Sequence, residues 1–157
     1  MPDGTELDAL DSVKYLYLGR LTEPRDNSLR IVVKEAISNP PLPSVPQSGS
    51  KVVHVSRIEH TEACRMFELT WSRYVAYLVT EEVAGSCPSD DEVYTGNLFR
   101  TYTKSHFLDY LARNTWSHEP VLHFKLLCLN HLIDVAAYEA PSCQQLEPEA
   151  NAQRLVQ

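Results

Sequence analysis

His106 and Asp109 stand three residues apart, and His131 and Asp134 repeat that spacing further along the chain. An imidazole held by a carboxylate can take up and return a proton in a reaction. On a helix the spacing puts both groups on one face, so His106 can act as a base and Asp109 as its orienter. The plainer reading makes His106 a surface group in the first turn and Asp109 a complement to the helix dipole. In a strand, residues three apart face opposite sides, so His131 and Asp134 make a poor dyad. Asp134 lies inside the apolar run HLIDVAAYE and must be exposed on a polar side or buried with a partner; Arg100 and Arg113 are the candidates. A structural ion pair is favoured there over a catalytic carboxylate. His54 and His60 share a strand face but would stand about 20 Å apart, too far for one metal ion. No metal site and no cofactor are expected.

A second group of residues points to binding. Glu81, Glu82, Asp90, Asp91 and Glu92 fall in one stretch with no base between them, and Tyr94 follows. Such a stretch is a solvated loop or a surface for a basic partner. Tyr94, Tyr102, Tyr110, Trp71 and Trp116 supply aromatic area of the kind that carries interface energy or packs a core. The most basic stretch, Arg20 to Arg30, is broken by Glu23 and Asp26, which disfavours a phosphate-tracking surface and hence nucleic acid as a partner. No nucleotide, hydrolase-elbow or zinc-protease motif occurs, and five glycines in 157 residues leave little for a phosphate-cradling loop.

These groups need elements to place them. With 43% hydrophobic and 22% charged residues and a net charge of -7, the chain is too apolar for disorder and too polar for a membrane protein. Its first twelve residues are acidic, the reverse of a signal peptide, so a cytoplasmic setting without disulfides is expected. Cys64 and Cys128 lie in apolar runs and read as buried; Cys87 and Cys143 lie beside prolines and read as accessible.

The segments 13–21 and 29–37, separated by TEPRDNS, predict a hairpin, and the Pro-rich stretch 38–50 predicts an extended connector to a main body over 51–141. Its PPLP resembles proline-rich ligands but reads as a stiff linker. In the body, 51–60, 65–71, 74–80, 97–102, 121–129 and 131–139 predict strands. A single long helix over 67–78 is the rival at that stretch; Val, Tyr and Thr content and the lack of an N-cap favour strands. Ser105 and its neighbours offer caps for a helix ending at Asn114. Residues 142–157 predict a tail. The expected fold is α+β, mainly antiparallel sheet with one short helix near 105–114, in one β-rich domain.

The runs FELTWSRYVAYLVTEE, EVYTGNLFRTYTKSHFLDYLARNT and CLNHLIDVAAYEAP resemble a type of small bacterial protein with a β-rich fold. The resemblance covers about residues 64–141 and implies the β-rich fold with its helix at 105–114, but no activity, cofactor or catalytic residue. Two function classes remain. The favoured one is a non-enzymatic interaction domain, immunity-like or regulatory, meeting a basic protein partner through acidic and aromatic surface. The alternative is a small enzyme using His106, Asp109, His131 and Asp134. Neither a membrane nor nucleic acid is expected as a partner, and the oligomeric state is open.

Overall fold

A computed structural model describes residues 4–39, 57–84 and 89–147. The expected connector, His54 and Cys87 lie wholly or largely outside these residues. Two antiparallel sheets dominate, with two helices. The elements are α1 (Gly4–Asp11), β1 (Tyr15–Thr22), β2 (Leu29–Asn39), β3 (Arg57–Glu59), β4 (Met66–Trp71), β5 (Tyr74–Glu81), β6 (Val93–Thr95), β7 (Phe99–Lys104), α2 (His106–Asn114), β8 (Leu122–Leu127), β9 (His131–Ala137) and β10 (Ser142–Leu146). The first sheet runs β1-β2-β4-β10 with β3 on the end of β2, and the second runs β5-β9-β8-β7-β6.

Period-two patterning explains how the sheets bury a common core. Leu29, Ile31 and Val33 of β2 and Phe67, Leu69 and Trp71 of β4 point inward from one sheet; Phe124, Leu126, Ile133 and Val135 point inward from the other. Trp71 and Phe124 meet across the core with ring centroids 6.0 Å apart, and Phe99 stacks on Phe124 at 5.8 Å. The stretch 66–81 is two strands, in different sheets, as its β-branched and aromatic content indicates.

The expected hairpin is β1–β2, and β2 also pairs with β4 over Leu29 to Lys34, so it lies in the body's first sheet. Two expectations are corrected. Residues 142–146, expected within a tail, are an edge strand: Ser142 to Leu146 pair with Thr70 to Met66, and the polar residues hide the period. An unforeseen helix, α1, sets Leu10 in the core and aims Asp11 at the β6–β7 turn, where its carboxylate accepts from Asn97 N at 2.8 Å and Phe99 N at 2.8 Å. That turn uses Gly96 at φ 93°, where an added Cβ would lie 2.1 Å from the Phe99 carbonyl oxygen. Among the described residues no helix is long and apolar enough to cross a membrane.

Candidate functional site

The outer face of the second sheet carries a buried polar chain. His123 of β8 sits under the start of α2, and its neighbours decide its hydrogen bonds. Ser105 is the N-cap of α2: its Oγ accepts from Leu108 N at 3.1 Å and lies 2.8 Å from His123 Nδ1. On the other side of the ring, His123 Nε2 lies 2.8 Å from Asp134 Oδ1. Tyr102 stacks on the imidazole at 4.4 Å and Phe107 meets it edge-on at 5.1 Å. Because the Ser105 oxygen already accepts from the helix, its hydroxyl proton is available to Nδ1, and Nε2–H then donates to Asp134. That tautomer uses both ring nitrogens and satisfies the cap.

Ser, His and Asp in one chain have the composition of a hydrolytic triad, but their surroundings deny them the chemistry. Ser105 is 1% exposed and His123 2%, so no substrate reaches the hydroxyl. The serine oxygen is also spent on the helix terminus. The chain fastens α2 to the sheet.

Asp134 takes a different partner from those expected. It pairs in register with Lys125, whose Nζ lies 3.4 Å from Oδ1, while His123 holds the same oxygen. Arg100 sits one strand further on, bonding the Asn97 carbonyl and lying 4.2 Å from the Tyr94 ring centroid.

The remaining sequence candidates do not converge. His106 Nε2 lies 2.9 Å from Asp91 rather than pairing with Asp109, and Asp91 also accepts from Ser89. Glu92 Oε1 accepts from His106 N at 2.9 Å, which places a carboxylate on the positive end of α2. The bonds from Ser89 and then His106 hold the Asp91 carboxyl down at about 2. Asp91 in turn raises His106 above its ordinary value, so the pair is charged over a wide range. His131, at the β8–β9 turn, has its Nδ1 buried without a hydrogen-bond partner among the described residues. His60 Nδ1 contacts the Glu35 carbonyl oxygen.

Nor do the acidic residues form one surface. Glu81 closes β5, at one edge of the second sheet and level with His131; Asp90, Asp91 and Glu92 lead into β6 at the opposite edge, level with Lys104. Register therefore puts the two groups at opposite corners. Glu82 shares a shallow depression with Lys14 and Tyr15. Tyr94 is exposed on β6, under the Arg100 guanidinium.

The second half of α2 builds something more open. The helix ends where Thr115 N and Oγ1 both donate to the Leu111 carbonyl, at 2.8 and 2.7 Å. The chain then turns back toward β8, leaving a groove of about 380 Å³ lined by Leu108, Leu111, Ala112, Trp116, Glu119 and Val121, with Thr115 and Ser117. Trp116 is 83% exposed, and its indole rests edge-on against His118 at 4.0 Å. Glu119 meets Arg73 Nη1 at 3.5 Å, and the same guanidinium lies 4.2 Å from the Tyr138 ring. Exposed Tyr110 lies on α2 beside this end.

His123 and Lys125 were not singled out by sequence reasoning, although two ionisable groups alternating in VLHFKLLCL signal a strand with one polar stripe. Glu119 had no signal of its own, since only the fold joins it to Leu108 and Leu111 of α2. No known family model, curated protein or solved structure matches the chain.

Proposed function

We propose that the chain is a non-enzymatic protein-interaction domain whose binding face is the α2 groove with Trp116 at its rim, and that it meets a basic partner. One observation carries this reading: a tryptophan that is 83% exposed lines a groove shared with Leu108, Leu111, Ala112 and Val121. Leaving an indole in water forgoes much of the stabilisation that burial gives, and Trp is the residue most enriched where binding energy concentrates. His106 pairs with Asp91 rather than with His131 or Asp134, and Ser105 is buried under α2, which weighs toward the interaction reading over acid–base or serine chemistry at these residues. A net charge of -7 favours encounter with a cationic surface.

The test is calorimetric titration with an arginine octapeptide and a glutamate octapeptide at physiological ionic strength. The arginine peptide is expected to bind and the glutamate peptide not to. Trp116→Ala should weaken binding by about 2 kcal/mol, roughly thirtyfold. Equal binding by wild type and Trp116→Ala would remove the groove as the face.

A further inference from the structure

We infer that the α2 groove takes one arginine side chain from the partner, its alkyl stem on Leu108, Leu111 and Val121 and its guanidinium between the Trp116 indole and the Glu119 carboxylate. This rests on the interaction reading above and adds the chemistry of the contact. Three observations on the groove select that occupant.

The first is size. At about 380 Å³ the groove has room for one long side chain together with the peptide backbone that carries it. The second is the kind of surface. The lining combines the aliphatic Leu108, Leu111, Ala112 and Val121 with the Trp116 indole and the Glu119 carboxylate, which matches a side chain with an apolar stem and a cationic head. An uncharged apolar occupant would desolvate Glu119 with only the long Arg73 contact to offset the cost, and an acidic one would be repelled. The third is charge. Glu119 is the charged residue of the described lining, and the C-terminal end of α2, with its partial negative charge, closes the same groove at Leu111, Ala112 and Thr115. Arg113 is in that last turn but not in the lining.

The molecule already contains one example of the contact. Arg73 lays its guanidinium against Tyr138 at 4.2 Å and reaches Glu119 Oε1 at 3.5 Å. Glu119 therefore faces guanidinium chemistry in the free protein. The contact is long and both side chains are 58% exposed, so an exposed pair of this kind contributes little and leaves lone pairs on the carboxylate open. Arginine is preferred to lysine because its plane can stack on the indole while its edge donates to the carboxylate.

The experiment uses three peptides of sequence acetyl-Ala-Leu-X-Leu-Ala-amide, with X arginine, citrulline or norleucine. Binding is followed by Trp116 emission in wild type and Glu119→Gln, and by calorimetry in these two and in Trp116→Phe. Trp71 is fully buried in the core, so it gives a constant background. The arginine peptide is expected to change Trp116 emission and to bind about tenfold more tightly than the citrulline peptide. Glu119→Gln should narrow that difference to the share contributed by the Trp116 face, and should tighten norleucine binding, since no carboxylate is then desolvated. If arginine and citrulline bind equally at Trp116, the guanidinium contact is refuted and the groove stands as the binding face. If no peptide changes Trp116 emission, the inference and the interaction reading fall together, whether or not calorimetry finds binding elsewhere.

Discussion

Ser105 and His123 share one hydrogen bond, 2.8 Å from Oγ to Nδ1, across eighteen residues of chain. The same hydroxyl oxygen caps α2 through Leu108 N. One serine thus caps the start of a helix and attaches it to the sheet, and the helix so placed forms one wall of the Trp116 groove.

Removing the cap should therefore cost more than a surface cap does. Ser105→Ala loses the helix-terminal acceptor, about 1–2 kcal/mol, and leaves His123 Nδ1 buried without its partner. Asp134→Ala strands Nε2–H and should cost about 1–3 kcal/mol. In the double variant Ser105→Ala/His123→Phe the losses should fall short of the sum, since the two share the bond. Urea unfolding followed by Trp71 fluorescence measures all of these; strict additivity would show that the serine and histidine act independently.

A second expectation concerns the β6–β7 turn. Gly96→Ala forces a Cβ toward the Phe99 carbonyl at positive φ and should destabilise by about 1 kcal/mol or more. Asp11→Ala removes the acceptor for Asn97 N and Phe99 N. Both variants should lower the thermal midpoint, and the pair should be less than additive. An unchanged midpoint for Gly96→Ala would contradict the turn geometry.

The Asp91–His106 pair has a pH window whose sign follows from the two shifts. His106 is raised above 6.5 by Asp91, so its contribution is complete below 6.5 and is lost as pH rises through the higher folded value. Asp91 is lowered from 3.8 to about 2, so its contribution is complete above 3.8 and is lost as pH falls through about 2. The latch is fully made between roughly pH 4 and 6.5. Proton NMR titration of His106 should give a midpoint above the ordinary value, and Asp91→Asn should bring it down. A midpoint unmoved by Asp91→Asn would show that the pair does not form in solution.

Acid should also loosen the first sheet. Arg65 donates to Glu35 from Nε at 3.0 Å and Nη2 at 3.1 Å, and with its backbone N–H holds that carboxyl below its ordinary 4.5. The stability it gives is present above 4.5 and is lost as pH falls through the lowered value. Glu35→Gln should flatten that part of the acid-unfolding curve. A curve identical to wild type would count against the bidentate contact.

Strand identity was legible wherever one face of a segment is buried, as in RMFELTW, because alternation and β-branching then agree. The helix at 106–114 was legible from its cap. Two things were not. An edge strand such as β10, with polar residues at most positions, carries no period to read. Partnership between distant residues is set by strand order: Asp134 finds His123 and Lys125 because β8 lies beside β9, whereas Arg100 is one strand too far. Likewise the acidic run is continuous in sequence and divided in space, since β5 and β6 form opposite edges. Trp116 was legible as an aromatic, but its groove needed α2, the turn after it and β8 in place together.

The most direct measurement is chemical-shift mapping of the ¹⁵N-labelled protein titrated with the arginine octapeptide. A binding face at the groove gives saturable shifts concentrated at Leu108, Leu111, Ala112, Thr115 to Glu119 and Val121, with the Trp116 indole N–H among the largest. Shifts confined to Asp90–Glu92 and His106, or spread over all acidic residues without saturation, would contradict it.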